Sequence, residues 1–98
     1  MSLIRNLDVE NKTLTLNISG QFDFHIHADF RAAYKDVDKS YAVIINLKDT
    51  QYMDSAALGM LLLLHDEFPS KTPVITNCSD FVKQVLRIAR FEKRFEIS

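Results

Sequence analysis

The segment Tyr52-Met53-Asp54-Ser55-Ala56-Ala57-Leu58-Gly59 sets a hydroxyl beside a carboxylate, just ahead of small and apolar residues. Either Asp54 or Ser55 can accept from a free backbone N–H and so cap a helix. The two alanines would let that helix pack closely. As bare residues the segment reads equally as a plain helix start or as an exposed, modifiable hydroxyl. Other chemistry-bearing residues are sparse. His25 and His27 stand two apart, with no carboxylate at a recognisable ligand spacing, and read as helix-start histidines rather than metal ligands. Cys78 paired with a remote histidine would be a nucleophile; as the lone cysteine at a strand end it reads as a small buried thiol. Lys83, Arg87 and Arg90 form a basic row, either a solvated helix face or a surface for an acidic partner. No aromatic residue interleaves with them, which argues against single-stranded nucleic acid. There is no phosphate-cradling glycine loop and no Cys-x-x-Cys. The expectation is no catalytic residue, no metal and no cofactor, and so not an enzyme.

The elements that must position these residues follow from length and pattern. Ninety-eight residues suit one domain, 1–98, with a modest core. The formal net charge is −1, which gives no general attraction to nucleic acid or anionic lipid. The opening MSLIRNLDVEN lacks the apolar run of a signal peptide. Ala56–Leu64 is too short to span a bilayer and closes on His65, Asp66 and Glu67. A cytoplasmic location without membrane insertion is expected.

Leu14, Leu16 and Ile18 alternate with Thr13, Thr15 and Asn17, the pattern of a half-buried strand. A hairpin over Leu7–Ile18 turning at Asn11-Lys12 is predicted, with Gly20 ending its second strand. Ile26, Phe30, Ala33, Tyr34 and Val37 then fall on one helical stripe, predicting a helix from about His25 to Asp38. Ala42–Leu47 suits a central strand buried on both faces. Lys48–Met53 reads as a polar loop, followed by a helix to about Phe68, where Pro69 stops it. Gly59 inside that helix costs about 1 kcal/mol relative to Ala, to be offset by close approach to the sheet. Val74–Cys78 reads as a strand. Ser79 caps a third helix that buries Val82, Val85, Leu86 and Ala89, and Phe95–Ile97 reads as a last strand. The order β-β-α-β-α-β-α-β implies an α/β domain: a mixed sheet with an N-terminal hairpin and helices mostly on one face.

Taken together, AVIINLKDTQYMDSAALGMLLLLH (Ala42–His65) resembles the STAS domain of bacterial anti-sigma factor antagonists. Met-Asp-Ser-x-x-Leu-Gly after a buried strand is the specific block. LNISGQFDF (Leu16–Phe24) and Val-Lys-x-Val-Leu (Val82–Leu86), with Phe91 and Phe95 beyond, support it. Ala56-Ala57 stands where many relatives have Ser-Gly, leaving Ser55 the one hydroxyl of the block. The family's C-terminal helix is expected to be short or missing after the last strand. The resemblance implies a STAS-like fold and a phosphorylation-switched protein-interaction regulator. Unphosphorylated, such a domain binds an anti-sigma factor that is also a serine kinase; a serine phosphatase resets it. By position Ser55 is the phosphoacceptor. Asp23, Asp54, Ser55, Ala56, Leu58, Gly59 and Met60 form the partner surface, and the apolar run Leu61–Leu64 reads equally as a further part of it or as a wider buried helix face. The domain is expected as a monomer or weak dimer. The same fold also serves as a subunit of a transporter ATPase assembly, or as a regulator of another signalling enzyme, without any sigma factor.

Overall fold

A computed structural model of the chain describes residues 2–98, with Met1 outside them. The described residues form a five-stranded sheet of order β1-β2-β3-β4-β5. The strands are β1 (Leu3–Asp8), β2 (Thr13–Phe22), β3 (Ala42–Met53), β4 (Val74–Thr76) and β5 (Glu96–Ile97). The helices are α1 (His27–Tyr34), α2 (Ser55–Glu67) and α3 (Asp80–Ile88), with 3-10 turns at Phe24–Ile26 and Phe91–Lys93. β1 and β2 are antiparallel, joined by a turn in which Asp8 accepts from the backbone N–H and side-chain amide of Asn11. Lys12 completes that turn in the left-handed region. All remaining pairs are parallel. Each crossover therefore steps the same way across the sheet, and right-handed connections place all three helices on one face.

That face holds the core. Leu14, Leu16 and Ile18 from β2 meet Val43, Ile45 and Leu47 from β3 and Ile75 from β4, all buried. Ile26, Phe30, Ala33, Tyr34 and Val37 are buried as the helical stripe requires, although α1 itself ends at Tyr34. Phe22, Phe30, Tyr34 and Phe68 make successive ring contacts at 5.4, 5.7 and 6.1 Å, tying β2 to α1 and to the end of α2. The opposite face is half-buried and polar. There Asn77 donates to Asn46 Oδ1 at 3.1 Å, Asn46 to Asn17 Oδ1 at 3.0 Å, and Asn17 to the Ile4 carbonyl at 3.3 Å.

Two sequence expectations fail in the same place. Gly20 does not end β2, and Lys48–Met53 is strand rather than loop. Gly20 takes φ +75° at a register shift, so the strand bends and continues. A second shift lies between Asn17 and Ser19, where the Ile18 carbonyl accepts from buried Thr50 Oγ1 at 2.7 Å. That bond satisfies a main-chain group at the irregularity. In α3, Val82 and Leu86 are buried as expected, Val85 is half-buried, and Ala89 is exposed because the helix has ended at Ile88.

Candidate functional site

The bend carries β2 and β3 onward as a pair, well past the last β3–β4 partners, Asn46 and Thr76. Their final partners are Phe22 and Met53. Asp23 and Asp54 come next, side by side at the carboxyl ends of adjacent parallel strands about 4.8 Å apart. Both have extended backbones and both cap the helical turn that follows. Asp23 Oδ1 accepts from the His25 N–H at 3.0 Å. Asp54 Oδ1 accepts from the Ala57 N–H at 3.1 Å. The sequence left the α2 cap open between Asp54 and Ser55, and the geometry assigns it to Asp54.

Ser55 is thereby freed. It is the first helical residue of α2 and exposed. Among the described residues its Oγ makes no hydrogen bond. The backbone amides of the first turn and the helix dipole favour negative charge at this end. Asp23 and Asp54 oppose it. The His25 ring, in contact with Asp23 through Nδ1, and the His25 backbone N–H together hold the Asp23 carboxyl below its ordinary pKa of 3.8, against the opposing effect of burial.

From Ser55 an exposed stripe runs down α2 through Gly59 to Leu63, at helical spacings of four. Ala56 and Leu58 flank it, half-buried. Met60 is a correction: it is only 7% exposed and faces the core with Ala57, Leu61 and Leu64, so it is not a surface contact. The wide apolar character of α2 is thus mostly a broad buried face, and Leu63, 60% exposed, is its outward exception. Gly59 is a second correction. It lies on the open side, and a Cβ built there would meet nothing within 4 Å. Close approach to the sheet does not offset its helix cost.

Two residues of this surface, Phe24 and Tyr52, escaped the sequence reading, whereas Leu63 falls within the run Leu61–Leu64 expected to contribute. Phe24, directly after Asp23, is 61% exposed, and its ring stacks on His27 at 4.0 Å. His27 Nδ1 in turn lies 2.8 Å from the Phe24 carbonyl oxygen, so the exposed aromatic is held in place. Tyr52, beside the site at the end of β3, is also exposed, as is Leu63. Of the two that escaped, only Phe24 carried a usable signal, a large aromatic next to a capping aspartate. His27 therefore serves a ring contact. Cys78 is half-buried, and burial raises its thiol pKa, the opposite of an activated nucleophile. Among the described residues no three His, Cys, Asp or Glu side chains converge as metal ligands, and no helix is long and apolar enough to cross a membrane.

A mixed sheet with helices on one face, and a capped serine-bearing helix at the end of a central parallel strand, define a single-sheet α/β domain. The chain belongs to the STAS domain family, which it matches over residues 5–98. It is 43% identical over 94 residues to a STAS-domain containing protein of Pseudomonas aeruginosa (strain UCBPP-PA14), covering 91% of each chain. A crystal structure of a Thermotoga maritima protein described as a putative anti-sigma factor antagonist superposes with a TM-score of 0.81 at 14% identity, over 97% of this chain and 84% of that one. The anti-sigma factor antagonist SpoIIAA in its unphosphorylated form gives 0.75 at 17% identity, over 98% of this chain and 86% of that one. Identities this low speak for the fold alone.

Proposed function

We propose that this chain is a phosphorylation-switched docking protein of the anti-sigma factor antagonist type, with Ser55 as the switch. The single observation that carries the reading is the exposed, unbonded hydroxyl of Ser55 beside a cap that does not need it. A kinase can reach that oxygen without unfolding anything. The partner is an anti-sigma factor that also acts as the serine kinase, and a serine phosphatase reverses the modification. The docking surface comprises Asp23, Phe24, Asp54, Ser55 and the outward stripe of α2 through Gly59 and Leu63. Phe24 has the character of an anchor, because a rigid, exposed aromatic loses little freedom on burial.

The switch acts through association. A phosphate adds about −1.5 to −2 charges at pH 7. In solution that charge stays hydrated at a helix amino terminus. At a packed interface it must be desolvated beside Asp54 and Asp23. An interface penalty of about 3–4 kcal/mol weakens binding by two to three orders of magnitude. The experiment is a pull-down from native cells comparing wild type, Ser55→Ala and Ser55→Asp. Ser55→Ala is expected to retain the main partner and Ser55→Asp to lose it. Equal recovery by all three would remove Ser55 as the switch.

A further inference from the structure

Residues 83–94 hold Lys83, Arg87, Arg90, Lys93 and Arg94 against one acid, Glu92, a local charge of +4. The chain as a whole carries −1, so all other residues together carry −5. Such segregation on a small domain creates a directed field. Among the described residues none of these five cations is in an ion pair. The structure adds what the sequence pattern did not reveal. Phe81 and Ile88, seven residues apart and two turns along α3, share one flank of its outer face, 50% and 76% exposed. Lys83 and Arg87, four apart, occupy the other flank, with Gln84 between. A groove of about 470 Å³ is lined by Asp80, Lys83, Gln84, Arg87 and Ile88. A second, of about 180 Å³, is lined by Lys83, Arg87, Glu92 and Ile97. The same two cations border both.

We propose that the outer face of α3 is a second docking surface, for an acidic protein segment carrying apolar side chains. Charge complementarity sets the acid. The exposed Phe81–Ile88 flank sets the apolar component, which a purely ionic ligand would leave wet. A lipid surface fits less well. Asp80 and Glu92 line the grooves among the cations, so the face offers a pattern of charge in concave relief rather than a uniformly basic, convex stripe. Nor is this face part of the Ser55 site. α3 starts just after β4, whose last pairing is with Asn46, whereas Ser55 follows Met53 at the far end of β3. Seven further strand residues carry the chain roughly 20 Å. The domain thus offers one acidic, hydroxyl-bearing surface and one basic, apolar surface, able to hold two different proteins.

The test is an NMR titration of the full chain with a synthetic peptide of glutamates bearing two leucines at heptad spacing. Amide shifts are expected to centre on Lys83, Gln84, Arg87 and Ile88, with affinity falling as salt is raised. Lys83→Glu with Arg87→Glu should weaken binding at least about tenfold, and Ile88→Ser should weaken it without changing its salt dependence. Arg87 and Ile88 are exposed and Lys83 is half-buried, and an unchanged Tm certifies each variant as folded. Ser55→Asp should bind the peptide as wild type does, which separates this surface from the proposed switch. Unlocalised shifts, or undiminished binding by the double variant, would overturn the proposal. So would binding of phosphatidylglycerol vesicles through the same residues with no binding of the peptide, an outcome that makes the face a membrane contact.

Discussion

Gly59→Ala should make the protein more stable and its partner binding worse. Gly59 lies mid-helix in α2, and a Cβ there would meet nothing within 4 Å. The substitution therefore adds no clash and fills no cavity. What remains is backbone entropy and helix propensity, about 1 kcal/mol in favour of alanine. For a domain of this size that corresponds to a rise in Tm of about 4–5 °C. The checks are thermal melting by circular dichroism and urea unfolding, where the midpoint should rise with the slope unchanged. In the same variant, affinity for the native partner should fall about tenfold or more, since a methyl group would stand one turn from Ser55 on the outward stripe. A neutral or lower Tm would refute the physical premise, because it would mean the backbone at Gly59 is packed or strained after all. A higher Tm with unchanged affinity would remove Gly59 from the docking surface.

The remaining predictions concern the elements around that stripe. Thr50→Val keeps the side-chain shape but leaves the Ile18 carbonyl unbonded in a buried place; unfolding should show a loss of about 1–3 kcal/mol. Phe24→Ser should leave Tm nearly unchanged, because the ring is mostly exposed, yet weaken partner recovery; unaltered recovery would dismiss it as an anchor. Asp23 should titrate below 3.8 when followed by carboxyl NMR, and His25→Ala should move its midpoint upward. The sign is fixed by the depressed folded-state pKa. Asp23, like Asp8 and Asp38, contributes stability that is fully present above the ordinary carboxylate value and lost as pH falls through the folded one.

What the sequence could reveal divides along physical lines. Periodicity located the buried stripe of α1 and the alternating strand β2, because burial on one face forces a repeat of 3.6 or two. It mislocated the ends of β2 and β3. Polar Lys48–Met53 is strand because the partner strand, bent at Gly20, continues alongside it, and pairing across strands leaves no local trace. The cap at Asp54 was one of two local options, and only the bonded carboxylate distinguishes them. Asp23 was placed by resemblance alone. Its position beside Asp54 is a matter of register, which one residue of slippage would destroy. Met60 and Gly59 were both misjudged for a single reason: a helix with apolar residues on most sides gives no phase. The basic row of α3 was visible, but its apolar flank was not, since nothing local separates an exposed Ile88 from a buried one.

The division of labour between Asp54 and Ser55 bears directly on where a switch can act. Had Ser55 been the cap, a phosphate on its oxygen would alter the bond that starts α2, and modification would act on folding. With Asp54 in that role, the modified oxygen carries no structural bond. Two opposing effects then remain in the free protein. The amino end of α2 favours added negative charge by about 0.3–1 kcal/mol. Each nearby carboxylate repels it, by about 0.8 kcal/mol for unit charges roughly 5 Å apart in water. Together the two carboxylates outweigh the helix end by about 1 kcal/mol, so Ser55→Asp should melt about 4–8 °C below wild type. Excluding water from the site lowers the local dielectric and enlarges the repulsion from Asp23 and Asp54, while a partner surface adds desolvation. On the proposed reading, a charge that costs the isolated domain about 1 kcal/mol would cost far more once another protein covers it. A much larger fall in the Tm of Ser55→Asp would contradict this separation and return the switch to the stability of α2.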